Sequence, residues 1–576
     1  MSVATGPVQA AFCATFVDEL LRAGVTDAVV SPGSRSTPLA LAIAESDLRL
    51  HVRLDERSAC FVALGLARAT ERPVLVLVTS GTAVAELLAG VVEAHLDRVP
   101  LIVATADRPP ELHGIGAAQT IDQQGIFGPH VLGAIDPGPV HALPPSSWRP
   151  LASRLVVLAT GGPAPGPVVV NLPFVEPLVA EPGALPPGRT AGRPWFSLQR
   201  STGVEGAPVE LPHGRGVIVA GGGAGPPSEL LAAAGRLGWP ILADPRSGCR
   251  TEHPSVITVA DTVLRDPQLA ATLAPDVIVV AGAPPASKVV GEWVESTADA
   301  GAELVLLGAH ALSRHPSQRA AVLLDGRSED LWPRIARGAA PMDRSWRDTW
   351  VAVQQAVEAT FAEQLGGAAW NEPAVVRAIA QIDQPIVIVA SSSMPLRDLE
   401  WYGGTRPVAH PTHANRGANG IDGVVSTAVG VSLGEDRPVV AVVGDLAFLH
   451  DVSALVEGLG DESRASSLTV VVLDNGGGGI FSFLPQRNAV HGETFRRLFV
   501  TARSPRPAEV AGGFGIPAAV VGSLDELRRA MPARLARNGI EVVVCELPDH
   551  DANVATHDRV VASALEAARS VVLPAR

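Results

Sequence analysis

Lysine is all but missing from this chain: Lys288 is the only one, and the remaining 44 of the 45 basic residues are arginine. Together with the abundance of Ala, Arg, Gly and Pro, this reads as a genomic coding bias, so the survival of Lys288 carries no weight by itself. Cysteine is scarce as well. Cys13, Cys60, Cys249 and Cys545 lie far apart and form no C-x-x-C pair. That pattern indicates neither a zinc site nor a disulfide framework. Charged residues make up only 18% of the chain against 47% hydrophobic, which excludes a disordered polymer. No apolar run approaches the roughly 18 residues of a membrane-spanning helix. Residues Met1 to Ala10 have neither a basic start nor an apolar core, so no secretory signal is expected. Basic charge is in deficit, 45 against 59 acidic residues for a net −14. A phosphate backbone wants a basic patch, so nucleic acid is not an expected partner. The expectation is a cytoplasmic, soluble, multidomain protein without membrane insertion.

What is present is a rhythm of short, continuous Val/Ile/Leu runs. They include Val74–Val78, Leu101–Ala104, Val168–Val170, Val217–Ala220, Val277–Val280, Leu304–Leu307, Ile386–Val389, Val439–Val443, Val470–Leu473 and Val542–Val544. Continuous rather than alternating apolar character marks strands buried on both faces of a parallel sheet. Helical patterns such as Ala83–Leu96 and Ser523–Leu535 lie between them, which makes doubly wound α/β sheets the expected fold class. Two Pro/Gly-rich joints, Glu176–Trp195 and Ala336–Asp343, divide the chain into blocks at about 1–182, 190–340 and 345–576. In such sheets ligands gather beyond the carboxyl ends of the strands.

The third block carries the strongest chemical signal. Strand Val439–Val443 runs into Gly444-Asp445-Leu446, and Val470–Leu473 runs into Asp474-Asn475-Gly476-Gly477. Neighbouring strands would deliver a carboxylate and an amide oxygen to one sheet edge, beside glycines that let backbone approach a ligand. Hard oxygen donors with one carboxylate suit Mg²⁺ together with phosphate oxygens. Ordinary β–α turns also favour Asp and Gly, so it is the pairing on two strands that carries the argument. In the first block Asp55 can cap a helix, which puts Glu56 in its first turn, where a carboxylate commonly offsets the helix dipole. In the middle block Gly221-Gly222-Gly223-Ala224-Gly225 resembles a dinucleotide loop, but Pro226 stands where its third glycine belongs. A nucleotide-type fold without a nucleotide is expected there.

The pair Gly444-Asp445 and Asn475-Gly476-Gly477 resembles the thiamine-diphosphate motif of the decarboxylase and carboligase superfamily. Leu446 stands where many members carry glycine, and the polar insert Gly460–Ser467 lengthens the spacing. Further segments resemble the carboligases of menaquinone biosynthesis within that superfamily: SPGSRSTPL from Ser31, ADRPPEL from Ala106, GAAQTIDQQ from Gly116, NRGANGIDG from Asn415 and GIFSFLPQ from Gly479. The resemblance runs in order over all three blocks and is loosest in the middle one. It implies three doubly wound domains: pyrimidine-binding, central and diphosphate-binding. It implies thiamine diphosphate and Mg²⁺ as cofactors, with Mn²⁺ as a substitute metal.

By that resemblance, Asp445, Asn475 and Gly477 ligate the metal. Ser80, Gly81, Ser391, Ser392, Gly444, Leu446 and Ala447 contact the cofactor. Glu56 hydrogen-bonds N1′ of its aminopyrimidine and is catalytic. Ile421 wedges between its rings, and Ile480, Phe481 and Leu484 form an apolar wall. The implied substrates, 2-oxoglutarate and isochorismate, are dicarboxylates, which favours arginine for bidentate binding. Ser34, Arg35, Arg108, Gln119, Lys288, Ser393, Arg397 and Arg416 are the implied substrate contacts, with Phe481 and Leu484 at the apolar end. The four arginines are expected in post-strand loops. Gln119, which can both donate and accept, is also implied as catalytic. Val289 and Ala118 depart from the usual pattern beside Lys288 and Gln119. A homo-oligomer, dimer or tetramer, with active sites at the subunit interface is implied. The alternatives are another thiamine-dependent 2-oxoacid decarboxylase or carboligase, and a dinucleotide oxidoreductase, which the broken loop disfavours.

Overall fold

The computed structural model describes residues 5–162, 164–198, 206–308, 315–316, 319–339, 344–456, 467–502 and 505–572. Residues 460–466 of the polar insert and 340–343 of the second joint lie outside these. The described residues form three sheets of six strands, every pairing parallel.

In the first sheet the strands are β1 (Asp27–Val30), β2 (Arg49–Val52), β3 (Val74–Val78), β4 (Leu101–Asp107), β5 (Gly133–Ile135) and β6 (Val168–Pro173), in the order β2-β1-β3-β4-β6-β5. The second sheet holds β7 (Gly216–Ala220), β8 (Ile241–Ala243), β9 (Val256–Ile257), β10 (Val277–Ala281), β11 (Glu303–Leu307) and β12 (Val322–Leu324), in the order β12-β11-β10-β7-β8-β9. The third holds β13 (Val387–Ala390), β14 (Thr412–His413), β15 (Val439–Gly444), β16 (Ser467–Asp474), β17 (Ala518–Val521) and β18 (Gly539–Glu546), in the order β14-β13-β15-β16-β18-β17. All ten runs picked out from the sequence coincide with strands, Ile386 alone falling one residue outside, and almost all of their residues are buried. The helical pattern Ala83–Leu96 is two helices instead, Thr82–Glu86 and Leu88–Asp97, meeting at Leu87.

The winding of each sheet reverses beside its first strand, and the reversal places the chemistry. In the third sheet the chain winds one way from β13 to β14 and the other way from β13's far side through β15 and β16. The crevice therefore opens between the ends of β13 and β15, where Ser391–Ser393 and Gly444-Asp445 emerge. In the first sheet the corresponding point lies between β1 and β3, where Ser31–Arg35 and Thr79–Gly81 emerge.

The first and third sheets are joined by two helices packed at unusually close range, Glu56–Thr70 and Val424–Gly434. A Cβ on Gly65 would lie 2.1 Å from the Thr427 carbonyl oxygen, and one on Gly430 2.0 Å from that of Val62. Only glycine lets the two backbones touch here. One apolar core runs through this contact and takes in both sheets, from Val29 and Val76 in the first to Val439, Ala441 and Val443 in the third. No helix among the described residues is long and apolar enough to cross a membrane.

Candidate active site

A cavity of about 580 Å³ opens at the β13/β15 crevice, inside the size range of small-molecule sites. Its floor is built from the ends of three strands. β13 gives way to Ser391, Ser392 and Ser393. β15 ends at Gly444, and Asp445 opens the short helix Asp445–His450 with Leu446 and Ala447 behind it. β16 leads into Asn475, Gly477 and the turn Gly479–Phe483, which contributes Ile480 and Phe481. Asn419, Gly420 and Ile421 close one side, and Pro285, Ala286 and Lys288 of the middle sheet reach in from the other.

The electrostatics of this cavity call for ions of both signs. Asp445 is buried, and its carboxylate has only backbone N–H groups of its own turn to receive, among them that of Leu446 at 2.8 Å. Burial, with the nearby Asp474 and Glu372 carboxylates adding repulsion, pushes its pKa up to about 7. The Asn475 amide is held at both ends: Nδ2 donates to Glu372 at 2.6 Å, and Oδ1 accepts from the Gly477 N–H at 3.2 Å. Gly477 has φ +142°, and a Cβ there would lie 2.2 Å from the Val500 carbonyl oxygen, so only glycine serves. Two arginines line the same cavity. Burial lowers the pKa of Arg397, and its Nη1 is buried without a hydrogen-bond partner. Burial, with Arg246 and Arg397 adding repulsion, brings Arg416 down to about 10. Such groups are satisfied by carboxylates or phosphates.

Arg416 is placed by the first block. Glu93, 2% exposed, receives the backbone N–H groups of Gly417 at 2.9 Å and Ala418 at 2.7 Å, while Arg68 donates to Asn415 at 2.7 Å. Sequence reasoning passed over Glu93 and Glu372 alike. Each sits on a helix, and only the fold brings it to the loop it holds.

One sequence expectation needs correction, and two further candidates sit at or beyond the margin of the cavity. Arg397 is not in a post-strand loop but in helix Met394–Tyr402, which starts directly after Ser393 because Pro395 suits a first helical turn. Lys288 opens helix Lys288–Asp299 behind its Ser287 cap. It touches the cavity rim, yet its ammonium is mostly exposed and pairs with Glu292 at 3.3 Å. Leu484 does not line the cavity; it ends the turn that carries Ile480 and Phe481 and is 36% exposed.

Of the remaining candidates, Ser34, Arg35, Ser80, Gly81, Arg108 and Gln119 gather around the β1/β3 crevice, and neither they nor Glu56 line this cavity. Ser80 Oγ donates to the Gln119 carbonyl at 3.1 Å, and Gln119 Nε2 donates to the Ser80 carbonyl at 3.0 Å. That mutual clasp holds Gln119 at φ +55°, a conformation costly for a residue with a Cβ. The Gly81 N–H donates to Gln123 at 2.9 Å. Arg35 donates to the Phe174 carbonyl at 3.0 Å and lies 3.3 Å from Glu176; burial and the nearby Arg108 lower its pKa. Ser34 stands beside it on the same turn. Glu56 opens helix Glu56–Thr70, whose Asp55 cap accepts from the Ser58 N–H at 3.1 Å. Its neighbour Arg57 donates to the His450 carbonyl at 3.1 Å, at the far end of the helix that Asp445 starts. Within one chain the two groups therefore do not share a cavity.

A larger cavity, about 930 Å³, lies at the ends of the middle strands, lined by Gly222, Gly225, Arg246 and Arg327 among others. The glycine that opens the loop there answers to packing: a Cβ on Gly221 would lie 1.8 Å from the Ala283 carbonyl oxygen.

Three family descriptions match the chain in order: the N-terminal TPP binding domain of thiamine pyrophosphate enzymes over residues 12–126, their middle domain over 191–386, and their C-terminal TPP binding domain over 406–545. Among curated relatives, 2-succinyl-5-enolpyruvyl-6-hydroxy-3-cyclohexene-1-carboxylate synthase of Geobacillus thermodenitrificans is 38% identical over 92% of this chain and 92% of its own. The chain belongs to this synthase family. The enzyme of the same name from Listeria monocytogenes is 35% identical over 97% of this chain and 98% of its own. That of Chloroflexus aurantiacus is 40% identical over 85% of each. An X-ray structure assigned to a thiamin diphosphate-dependent enzyme from Mycobacterium smegmatis shares the fold, with a TM-score of 0.66 over 93% of this chain and 98% of that one at 22% identity. As a member of the family, the chain is a thiamine-diphosphate-dependent enzyme of the carboligase type.

Proposed function

We propose that this enzyme, in the cytoplasm, decarboxylates 2-oxoglutarate and joins the remaining succinyl unit to isochorismate, giving 2-succinyl-5-enolpyruvyl-6-hydroxy-3-cyclohexene-1-carboxylate and CO₂ in menaquinone biosynthesis. The observation that carries the reading is the cavity itself, which brings the buried carboxylate of Asp445 together with Arg397, whose Nη1 has no hydrogen-bond partner, and with Arg416. A metal–diphosphate clamp answers the carboxylate, and substrate carboxylates answer the arginines.

The residues fit the cofactor. Asp445, the Asn475 amide oxygen and the Gly477 carbonyl make a hard, all-oxygen donor set with one charge, suited to Mg²⁺ or Mn²⁺ that keeps phosphate oxygens in its shell. Ser391, Ser392 and the Gly444–Ala447 turn are the proposed diphosphate contacts, and Ile421 the residue between the two rings. Bound thiamine diphosphate supplies an electron sink for the pair released when CO₂ departs.

The protein supplies the rest. Arg397 and Ser393 bind and orient the 2-oxoglutarate carboxylates, and Arg416 binds a carboxylate of the second substrate. Ile480 and Phe481 exclude water beside the carboxylate that is lost, which weakens its solvation relative to neutral CO₂. Lys288, at the rim, adds positive charge along the entry path.

Ser34, Arg35, Ser80, Gly81, Arg108, Gln119 and Glu56 belong to the same site in this proposal, contributed by a second copy of the chain. The support is that all but Glu56 form a polar, partly strained edge at a strand crevice of their own, yet, like Glu56, lie outside the cavity in one chain. Glu56 then holds a proton between its carboxylate and N1′ of the aminopyrimidine, and Gln119 orients a substrate carboxylate or a water. The test is to incubate the protein with 2-oxoglutarate, isochorismate, thiamine diphosphate and Mg²⁺ and to look for the adduct by mass. Adduct that requires all four supports the reading. No adduct, under conditions where 2-oxoglutarate is consumed, overturns it in favour of a simple decarboxylase.

A further inference from the structure

Glu372 opens helix Glu372–Ala380, behind an Asn371 cap whose side chain accepts from the Ala374 N–H. A carboxylate in a first helical turn ordinarily faces water and offsets the helix dipole, for about 0.3–1 kcal/mol. Glu372 does not face water. It is 2% exposed, it lines the cavity, and its Oε1 accepts the 2.6 Å hydrogen bond from Asn475 Nδ2 across 103 residues of chain. Burying a carboxylate costs several times what the dipole returns, so helix stability alone does not account for it.

The amide it meets is pinned on its other sides as well. Asn475 Oδ1 accepts from the Gly477 N–H, and a Cβ on Gly479 would lie only 2.5 Å from Nδ2. The amide thus lies against a bare glycine, its nitrogen end on Glu372 and its oxygen end toward Gly477.

We propose that Glu372 is a positioning residue for the metal clamp, fixing which end of the Asn475 amide is presented to the cation. This rests on the reading of Asp445, Asn475 and Gly477 as metal ligands. The two ends of an amide are alike in shape and opposite in hydrogen-bonding sense. Turned over, Asn475 would aim two N–H donors at a cation. A carboxylate accepts, so it takes the NH₂ end and leaves the oxygen for the metal. Glutamine in its place accepts or donates, and the amide loses its enforced sense. Partners behind a metal ligand are worth about 10–100-fold in affinity.

The experiment titrates Mn²⁺, followed by electron paramagnetic resonance, into wild-type protein and Glu372→Gln, each with saturating thiamine diphosphate. Thermal midpoints are recorded with and without cofactor and metal. The expected result is Mn²⁺ binding about 10–100-fold weaker in the variant, an unchanged midpoint without cofactor, and turnover regained at high Mg²⁺. Mn²⁺ affinity within about twofold of wild type overturns the proposal, and so does a midpoint lowered equally in both states with affinity intact. Should Glu372→Gln not fold, Gly479→Ala, which displaces Nδ2 from the opposite side, must weaken Mn²⁺ in the same way; unchanged affinity there overturns the proposal too. Wild-type protein that takes up no Mn²⁺ in response to the cofactor would instead overturn the clamp reading itself.

Discussion

Ser58 and Ser426 share a 2.8 Å hydrogen bond between their hydroxyls, buried between helix Glu56–Thr70 and helix Val424–Gly434. Asp451 continues the chain, receiving the Ser426 hydroxyl at 2.9 Å and its backbone N–H at 2.7 Å. This link ties the first turn of the helix that Glu56 opens to the third sheet, so Glu56 is held by a fixed scaffold rather than a loose loop. Glu56→Gln keeps the shape and removes the proton-holding carboxylate. The expected outcome is cofactor binding within about threefold of wild type and a turnover loss of about 100-fold or more, typical of losing a general acid–base group. Near-normal turnover, measured with saturating substrates, would remove Glu56 from the mechanism.

Arg397 faces the cavity with an unpartnered Nη1. Losing a charge-assisted contact to a carboxylate costs about 1.5–3 kcal/mol, or roughly 10–150-fold in affinity. Arg397→Ala should raise the Michaelis constant for 2-oxoglutarate by that factor and leave thiamine diphosphate binding unchanged. An unchanged constant and rate would place the substrate elsewhere.

Gly430 sits mid-helix, where alanine would ordinarily stabilise by about 1 kcal/mol. Here a Cβ would lie 2.0 Å from the Val62 carbonyl oxygen, on a backbone that cannot yield without parting the helices. Overpacking of this kind costs about 1–3 kcal/mol. Gly430→Ala should therefore lower the thermal midpoint, by about 1–3 °C in a chain of this size, rather than raise it. A raised midpoint would show that the two backbones are not in contact.

His557 is buried against the helix that carries Arg397. Its Nδ1 and the Tyr402 hydroxyl share a 2.8 Å hydrogen bond, and its Nε2 lies 3.3 Å from Asp398, whose pKa burial raises. Burial, with a smaller contribution from Arg265, lowers the imidazole pKa to about 3. The ring is neutral in the folded protein, while in the unfolded chain it binds a proton below about 6.5. The unfolded state gains protons as pH falls, so this residue withdraws stability on acidification, by up to about 1.4 kcal/mol per pH unit between about 6.5 and its folded value. His557→Gln should lose less of its midpoint than wild type between pH 7 and pH 5. Parallel losses would mean that His557 is charged in the folded state.

Much of the architecture was legible in the sequence because interior strands of parallel sheets are buried on both faces and read as unbroken apolar runs. The strands that escaped notice were mostly short or at the edges: β5 and β12 have no fully buried residue, and β9 and β14 have two residues each. Leu87 is apolar and buried, as are Val84 and Val91 one helical turn to either side, so nothing in the pattern announced the break between the two helices there. The residues around the cavity were legible where they follow strands, as Asp445, Asn475 and Ser393 do. Glu93 and Glu372 were not, since each acts on a loop more than 100 residues away and looks locally like an ordinary helix carboxylate. Arg397 was found, but its helix was hidden by the serines and proline that precede it.

The most direct test of the account is stoichiometry. With thiamine diphosphate, Mg²⁺ and 2-oxoglutarate present, CO₂ release and isochorismate loss are followed together as isochorismate is added. The account predicts that each CO₂ released is matched by one isochorismate consumed, with little release before isochorismate is supplied. CO₂ release that proceeds at the same rate without isochorismate, leaving isochorismate intact, would contradict it.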